Sequence, residues 1–235
     1  MSLVHRLQTV AWPEVAASLD ERGYATTPPL LAATECRELI ALYAEDAAFR
    51  SRIVMARHGF GRGEYKYLRY PLPGLVEALR QALYPPLAPI ANRWREALGE
   101  SGRFPLRLDP FLAECHRAGQ ERPTPLILNY AAGDYNCLHQ DLYGELVFPL
   151  QATVLLSDPG GDFTGGEFLL VEQRPRMQSK AEVVPLRQGE AVIFAVHHRP
   201  VNATRGVYRV KLRHGVSRIR SGHRSTLGII FHDAA

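Results

Sequence analysis

The sequence predicts an α+β protein, mainly β, with N-terminal helices packed on a β-sandwich or barrel core. Apolar residues recur at helical spacing in residues 1–125, whereas residues 126–235 contain six short apolar runs separated by clusters of Gly, Pro and Asp. Short runs rich in Val, Ile and Leu are typical of strands in such a core. A length of 235 residues suits one domain. We therefore expect a single domain, 1–235, that divides into a mostly helical part, 1–125, and a β-rich core, 126–235.

The elements are expected to follow one another as helices and then strands. In chain order, the N-terminal patterns predict a strand within 22–30, a helix after an N-cap at Thr34, helices at 75–84 and 87–98 separated by Pro85, Pro86 and Pro89, and a helix at 109–118 capped by Asp109. The later apolar runs predict strands at 126–130, 152–157, 167–171, 191–196, 207–214 and 226–231.

Residues 50–73 show no sustained periodicity, which predicts a long loop. Its part 50–70 carries six Lys/Arg, four aromatic residues and a single acid, Glu64. Basic and aromatic stretches suit anionic partners, and the alternative is a solvated basic face. We predict that 50–70 belongs to the substrate-binding surface, as a lid over the site, in which three glycines let the backbone reshape. Its exposed charges are expected to include Arg57, Arg62 and Lys66.

Composition and charge exclude several classes of protein. With 46% hydrophobic and 22% charged residues, the chain is globular. We see no secretion signal and no apolar run of about 18 residues that would span a membrane. Three distant cysteines predict neither a zinc site nor a disulfide framework, so a reducing cytoplasm is expected. The net charge is +4, and eight Lys/Arg without an acid lie between residues 197 and 224, which again suits an anionic partner.

Two segments offer ligands for a divalent metal. His139 and Asp141 share one face of an extended segment, because alternate residues of a strand point the same way. His214 lies on the apolar side of a predicted strand whose other side carries Arg and Lys. Two histidines and one carboxylate form the facial triad that leaves coordination positions open on Fe(II). The alternative is a buried core histidine at 214 and a chance pairing of His139 with Asp141.

Arg224 lies ten residues beyond His214, at the start of the last predicted strand. A buried arginine is costly unless it meets an anion. A dicarboxylate would provide a bidentate partner, and Thr226, on the same strand face, offers a hydroxyl group. The alternative is a surface arginine in a basic loop.

Four motifs, in this order along the chain, resemble the Fe(II)- and 2-oxoglutarate-dependent oxygenases. Residues 128–141 (LNYAAGDYNCLHQD) resemble the start of their catalytic core, in both prolyl hydroxylases and AlkB-like nucleic-acid demethylases. Residues 164–170 (TGGEFLL) and 188–194 (QGEAVIF) look like two later strands of the same fold. Residues 214–227 (HGVSRIRSGHRSTL) resemble the prolyl-hydroxylase pattern of a histidine, a glycine and a basic residue ten positions on.

The resemblance implies a double-stranded β-helix core, of the jelly-roll or cupin-like type, that binds Fe(II), 2-oxoglutarate and O2. The implied metal ligands are His139, Asp141 and His214. The implied cosubstrate contacts are Arg224, as the anchor of 2-oxoglutarate, with Tyr130, Thr226 and Asn129. The implied reaction decarboxylates 2-oxoglutarate to succinate and CO2 while it hydroxylates a substrate C–H bond.

His197 and His198 offer a rival for the distal metal ligand. The nearest suitable basic residue, Arg205, follows them by only eight and seven residues, so this pair fits the family pattern less well than His214.

The sequence does not identify the substrate. AlkB relatives use two arginines six residues apart, and Arg218 and Arg224 have this spacing, but the residues between them differ. The overall pattern also resembles a group of bacterial proteins proposed to act on damaged DNA. One hypothesis is therefore oxidative demethylation of DNA or RNA, and the alternative is hydroxylation of a peptide or protein side chain. A third hypothesis is a non-catalytic β-sandwich binding module. No membrane partner is expected, and the sequence leaves the oligomeric state open.

Overall fold

Two antiparallel β-sheets form the centre of the protein. The computed structural model describes residues 2–202, 204 and 206–235. The α-helices are α1 (Leu3–Gln8), α2 (Trp12–Arg22), α3 (Ala33–Leu42), α4 (Gly74–Ala97) and α5 (Leu108–Arg117), with short 3-10 helices at Asp46–Ala48 and Met55–Arg57. The strands are β1 (Tyr24–Thr26), β2 (Phe49–Val54), β3 (Gly61–Arg62), β4 (Glu64–Leu68), β5 (Leu126–Ala131), β6 (Tyr135–His139), β7 (Leu150–Leu155), β8 (Phe163–Gly165), β9 (Phe168–Gln173), β10 (Lys180–Val184), β11 (Ala191–Ala195), β12 (His198–Asn202), β13 (Val207–Val216) and β14 (Ile219–Ile229).

The larger sheet has the strand order β1–β11–β7–β14–β5–β4–β2, with β8 paired to β14 outside this path. The smaller sheet has the order β10–β9–β13–β6–β3, with β12 paired to β13. Helices α2 and α4 contact strands of both sheets. The predicted α+β, mainly β architecture is thus confirmed. Strands β1 to β4 come from residues 1–125, so the part predicted to be mostly helical also contributes to both sheets.

Helix α4 packs against strands of both sheets and runs unbroken from Gly74 to Ala97. The prediction of two helices separated by prolines is wrong. Pro85 and Pro89 lie on the exposed side, while Leu83 and Leu87 on the other side are fully buried in the main core. A proline inside a helix costs about 3 kcal/mol, and a fully buried leucine contributes about 1.5–3 kcal/mol. Because nine apolar residues of α4 are buried, their packing outweighs the cost of the three prolines. No described helix has the apolar length needed to cross a bilayer.

Residues 50–73 are not a long loop, and this prediction is wrong as well. Strand β4 pairs with β2 on one side and with β5 on the other, so the segment is a β-hairpin that extends the larger sheet. Two of its three glycines, Gly61 and Gly63, are required by close packing. A Cβ atom at Gly61 would lie 2.3 Å from the Tyr135 carbonyl oxygen, and one at Gly63 would lie 2.8 Å from the Tyr130 ring. Both glycines have φ above +100°, a conformation that other residues rarely adopt.

Lys66 is buried, contrary to the prediction that its charge is exposed. Only 6% of the residue is accessible, because Lys66 lies on β4 inside the hairpin. Its Nζ donates to Asp46 Oδ1 at 2.7 Å and to the Tyr43 carbonyl oxygen at 2.8 Å. Arg57 and Arg62 are exposed, as expected. Lys66 therefore holds the hairpin to the preceding turn and is not available to a substrate.

Two predicted helix caps are also wrong. Helix α3 begins at Ala33, one residue before Thr34, because the Glu35 carboxylate accepts a hydrogen bond of 2.7 Å from the Ala32 N–H group. Asp109 is the second residue of α5 and not its cap. A carboxylate in the first turn still interacts favourably with the helix dipole. Asp109 therefore does mark the start of the helix, but the N-cap lies two residues earlier, at Arg107.

A buried ion pair joins α4 to the C-terminal end of β14. Arg80 Nη2 donates to Asp233 Oδ1 at 2.7 Å, and both side chains are fully buried. Arg80 Nε also donates to the Ile230 carbonyl oxygen at 2.9 Å. The other carboxylate oxygen of Asp233 accepts from the Tyr70 hydroxyl at 2.8 Å and lies 2.9 Å from His116 Nε2. The network fixes the end of the central strand β14 against the helix layer.

We expect Arg80→Ala to lower the free energy of unfolding by about 3–5 kcal/mol, because it leaves the Asp233 carboxylate buried without its charged partner. The matched control is Arg93→Ala on the same helix, where the ion pair with Asp20 is about half exposed. The control should cost less than about 1 kcal/mol. Urea unfolding measures both values, and equal losses in the two variants would show that the network contributes no special stability.

Candidate metal centre and cosubstrate pocket

His139, Asp141 and His214 converge in a cavity between the two sheets. Strand β6 ends at His139, and the antiparallel register of β13 places His214 directly opposite it. One donor atom from each of the three side chains lies within 4.8 Å of the other two. Within residues 2–202, 204 and 206–235, this is the one group of three His, Cys, Asp or Glu side chains with such an arrangement. The structure therefore brings the three predicted ligands together.

The ring of His139 is oriented by its own strand. Its Nδ1 lies 2.8 Å from the carbonyl oxygen of Cys137, which can only accept a hydrogen bond, so Nδ1 carries the proton. The lone pair is then on Nε2, which lies 3.6 Å from Asp141 Oδ1. A backbone carbonyl in this role fixes the tautomer of a metal-binding histidine.

Asp141 is a buried carboxylate with several hydrogen-bond donors. The Tyr143 hydroxyl donates to Oδ1 at 2.7 Å, and the Gln151 side-chain amide donates to Oδ2 at 2.8 Å. Burial by itself raises the pKa of Asp141, but the hydrogen bond and charge of His214, the charge of His139 and the Tyr143 hydroxyl together lower the pKa below its ordinary value. Asp141 is therefore an anion at neutral pH, which is the form that binds a metal.

His214 is a buried imidazole on the inner side of β13. Its ring packs against the rings of Phe168 and Phe194, with centroids 6.0 and 4.7 Å away. Burial and the nearby charge of His139 lower the pKa of His214, against a smaller opposing effect of Asp141. The ring is therefore neutral at neutral pH, as a metal ligand must be, and its Nε2 lies 3.2 Å from Asp141 Oδ2.

The donor set fits a divalent metal such as Fe(II). Two imidazole nitrogens and one carboxylate oxygen suit non-haem iron, whereas thiolate ligands would favour zinc or iron–sulfur sites. The three side chains and Arg224 line the same cavity. A cosubstrate bound in this cavity could therefore reach both the metal and Arg224.

Arg224 is a buried cation without a counter-ion among the described residues. It is 2% exposed, and its Nε and Nη1 have no hydrogen-bond acceptor in the described part of the chain. Burial lowers the pKa of Arg224 to about 10, partly opposed by Tyr130 and Glu167, so the guanidinium remains charged at neutral pH. A buried charge of this kind is costly unless an anion meets it. Unsatisfied N–H groups aimed into a cavity fit a ligand carboxylate.

Tyr130 and Thr226 lie beside Arg224 because of strand pairing. The register of β14 and β5 places Arg224 opposite Tyr130, and Thr226 is two residues farther along the same side of β14. Both residues line the cavity together with the metal ligands. Asn129 does not, since it alternates to the other side of β5, where the Ser225 hydroxyl faces it at 3.5 Å. The six residues predicted for the metal and cosubstrate sites thus share one cavity, and the weaker candidate Asn129 lies outside it.

A family model covers most of this fold, including the proposed metal ligands and Arg224. The model Oxygenase-NA, described as an oxygenase catalysing oxidative methylation of damaged DNA, matches residues 63–234. The chain belongs to the Oxygenase-NA family. Two proteins of Mycobacterium tuberculosis, MT2286 from strain CDC 1551 and Rv2227 from strain H37Rv, are each 56% identical to it over 165 residues, which is 70% of this chain and 71% of each relative.

Solved structures of other oxygenases share the fold of this Oxygenase-NA member. A prolyl hydroxylase from Trichoplax adhaerens, in complex with a hypoxia inducible factor oxygen degradation domain peptide fragment, superposes with a TM-score of 0.57 at 15% identity, over 98% of this chain and 92% of that chain. A Pseudomonas putida prolyl-4-hydroxylase gives 0.55 at 14% identity, over 95% and 100%. An oxidoreductase of the 2OG-Fe(II) oxygenase family from Burkholderia pseudomallei gives 0.53 at 16% identity, over 96% and 93%.

The family match and the shared fold confirm two predictions. The family match shows an oxygenase, and the shared fold shows that the β core is a double-stranded β-helix. Together with the His139–Asp141–His214 group, they confirm the predicted Fe(II)- and 2-oxoglutarate-dependent oxygenase. The cofactor set of this superfamily is Fe(II), 2-oxoglutarate and O2. The hypothesis of a non-catalytic binding module is therefore wrong.

Two residues of this Oxygenase-NA member, Tyr143 and Gln151, donate hydrogen bonds to the Asp141 carboxylate and were not predicted from the sequence. Tyr143 follows Asp141 by two positions, so strand-like alternation could have placed it on the same side. Gln151 is a buried polar residue inside an otherwise apolar strand, β7, and its Oε1 has no partner among the described residues. A lone polar residue in an apolar run is a weak signal that it contacts a site.

His197 and His198 lie apart from the cavity. His198 is opposite Lys211 on the side-by-side strands β12 and β13, and the two imidazole rings stack on each other with centroids 3.5 Å apart. Neither ring lines the cavity or belongs to the group of potential ligands. Arg205, which the alternative reading paired with them, lies outside the described residues. The geometry therefore favours His214 as the distal ligand.

We expect His214→Ala to abolish binding of Mn(II), used as a stand-in for Fe(II), because it removes one of three ligand side chains. His198→Ala is the matched control and should bind Mn(II) like the natural protein. Equilibrium dialysis followed by elemental analysis gives the metal content of each variant. Loss of the metal in His198→Ala together with its retention in His214→Ala would show that the distal ligand has been assigned wrongly.

Proposed function

We propose that this protein uses Fe(II), 2-oxoglutarate and O2 to oxidise an alkyl group on a damaged DNA base. The observation that carries this proposal is that one cavity contains both the His139–Asp141–His214 group and the unsatisfied guanidinium of Arg224. The three side chains hold the metal, and Arg224 binds the distal carboxylate of 2-oxoglutarate. When bound, the iron supplies the site at which O2 is activated.

The remaining cavity residues orient the cosubstrate and exclude water. Burial raises the pKa of Tyr130, so its hydroxyl keeps its proton and can donate a hydrogen bond. The Asn136 side-chain amide donates to that hydroxyl at 3.3 Å and fixes its position. Thr226 offers a second hydroxyl beside Arg224. Apolar side chains such as Leu128 and Val216 line the walls between them, which strengthens the electrostatic contacts to a bound dicarboxylate.

The proposed reaction balances as an oxidative demethylation. Oxidation of a base N–CH3 group gives N–CH2OH, while 2-oxoglutarate loses CO2 and becomes succinate. One atom of O2 enters the N–CH2OH group and the other enters the new carboxylate of succinate. The C–N bond of N–CH2OH then breaks, which releases formaldehyde and restores the N–H group of the base. The family description names an oxidative methylation of damaged DNA. The reaction proposed here is instead a demethylation, because oxidation of an N–CH3 group removes the methyl group from the base.

DNA is favoured over a peptide as the substrate by the family description and by charge. The chain carries a net charge of +4, which attracts a polyanion. The prolyl hydroxylases of similar structure are 14% and 15% identical to this chain, and this likeness concerns the fold alone. RNA is a second nucleic-acid substrate of the same chemistry. A cytoplasmic location is part of the proposal, since a reducing compartment suits the free cysteines, of which Cys137 is exposed.

Arg224→Ala should weaken binding of 2-oxoglutarate to the Mn(II)-loaded protein by roughly 10- to 150-fold, which is the range for loss of a hydrogen-bonded charge worth about 1.5–3 kcal/mol. Arg224→Lys should retain part of the affinity, since lysine keeps the charge but loses the planar fork. Isothermal titration calorimetry measures both. Arg220→Ala, at an exposed position of the same strand, is the control and should bind normally. Unchanged affinity in Arg224→Ala, with normal metal content, would exclude the anchoring role.

The proposed function is tested by succinate and formaldehyde release. The Fe(II)-loaded protein should form both products with single-stranded DNA that carries N-methylated bases, and neither above background with unmodified DNA. A proline-containing peptide is the comparison substrate. Succinate formation that depends on the peptide and not on the modified DNA would replace DNA demethylation with side-chain hydroxylation.

A further inference from the structure

A flat aromatic surface lies at the mouth of the active-site cavity. Phe60 lines the cavity and is nevertheless 47% exposed, which is unusual for a phenylalanine. Its ring stacks on the exposed His58 ring, with centroids 5.3 Å apart and an angle of 23° between the planes. Leu138 and Leu142, next to the metal ligands in sequence, are also exposed. Exposed apolar side chains grouped around a cavity indicate a surface that contacts a ligand.

The backbone holds Phe60 in place before any ligand arrives. The Phe60 N–H donates to the Met55 carbonyl oxygen at 3.1 Å, and the Phe60 carbonyl oxygen accepts from the Cys137 N–H at 2.9 Å. The next residue, Gly61, lies so close to β6 that no other side chain would fit. The ring therefore sits on a rigid support, so little conformational entropy is lost when it stacks on a ligand.

Cations lie beside this aromatic surface. Arg62 pairs with Tyr135 across β3 and β6, and 61% of its side chain is exposed. The Arg218 guanidinium lies 5.1 Å from the centroid of the Tyr135 ring, and its Nη1 donates to the Gly133 carbonyl oxygen at 3.0 Å. The result is a second aromatic ring, Tyr135 on β6, flanked by Arg62 on the edge strand β3 and by Arg218.

The charge of this region is positive on balance. Arg57, which precedes His58 in the chain, is a third exposed cation. The Asp134 carboxylate lies 3.9 Å from Arg62, but it is also occupied by a hydrogen bond from the Ala131 N–H group. Alternating rings and cations match a ligand that alternates flat bases with phosphates, and they match a peptide poorly.

We propose that the strip formed by His58, Phe60, Arg62, Tyr135 and Arg218 binds the nucleotides that flank the target base in single-stranded DNA. This inference rests on the proposed function and names the form of its substrate. Phe60 and Tyr135 stack on bases, and Arg62 and Arg218 contact phosphates. Stacking of this kind requires unpaired bases, because in a duplex each base face is already covered by its neighbours. The strip thus binds single-stranded DNA more tightly than duplex DNA and does not discriminate between base sequences.

The test measures binding of unmodified, fluorescently labelled oligodeoxythymidine of about 12 nucleotides, which lies within the usual range of single-strand sites. Fluorescence anisotropy gives the Kd at several salt concentrations. Arg62→Ala/Arg218→Ala should bind roughly tenfold more weakly and reduce the slope of log K against log salt by about 1.4, since each lost phosphate contact removes about 0.7. Phe60→Ala should weaken binding by about 5- to 150-fold with the slope unchanged, because stacking contributes about 1–3 kcal/mol per base.

Controls separate the strip from a general charge effect. Phe60→Trp should restore binding, and Arg103→Ala/Arg107→Ala removes two equally exposed arginines outside the strip and should bind like the natural protein. Thermal unfolding verifies that each variant is folded. The proposal is overturned if the strip variants bind like the natural protein, if the control variant weakens equally, or if a duplex of the same length binds as tightly as the single strand.

The two proposals fail in different ways. Oxidation of a methylated DNA base by the natural protein, with unchanged oligodeoxythymidine binding in the strip variants, overturns the strip and leaves the proposed function intact. Strip-dependent binding of oligodeoxythymidine without oxidation of any methylated base supports the binding surface and overturns the proposed reaction.

Discussion

The register between neighbouring antiparallel strands is the constraint on which the site depends. Pairing of β13 with β6 sets His214 opposite His139, and pairing of β14 with β5 sets Arg224 opposite Tyr130. A slip of one residue in either pair would turn a side chain away from the cavity, because the side-chain period of a strand is two. Strand β14 also pairs with β7, so its register is fixed from both sides. Backbone hydrogen bonds of the core therefore set the positions of His139, His214 and Arg224, whereas Asp141 lies two residues beyond the end of β6.

The site could be predicted from the sequence where periodicity and chemistry coincide. His214 occupies an apolar position in the alternating pattern of β13, and it is buried whereas its neighbour Arg213 is exposed. Arg224 was identified by its resemblance to a family pattern and by the need of a buried cation for an anion. Tyr143 and Gln151 were missed because their role depends on a contact with Asp141 that only the folded chain creates. The sequence pattern of one segment does not reveal which side chain of a distant segment it contacts.

The sequence failed where tertiary packing outweighs local propensity. The hairpin of β2 to β4 has irregular periodicity because β4 lies between two strands, and its glycines are required by close approach to β6 and to Tyr130. Lys66 carries a charge yet lies inside the hairpin, since Asp46 and a carbonyl oxygen satisfy its ammonium group. Pro85 and Pro89 of α4 lie on its exposed side and Pro86 is half-buried, so the apolar side of that helix stays intact. In each case, the information that decides the structure lies in distant residues.

The buried guanidinium of Arg224 also links ligand binding to the stability of the fold. Arg224 lies on β14, the strand that pairs with β5, β7 and β8. The cost of burying its charge therefore lowers the stability of the centre of the larger sheet. A ligand that binds only the folded state stabilises it by mass action. A dicarboxylate that satisfies Arg224 would therefore act as part of the core while it is bound, and we expect the resistance of the folded chain to proteolysis to rise with the concentration of that small molecule.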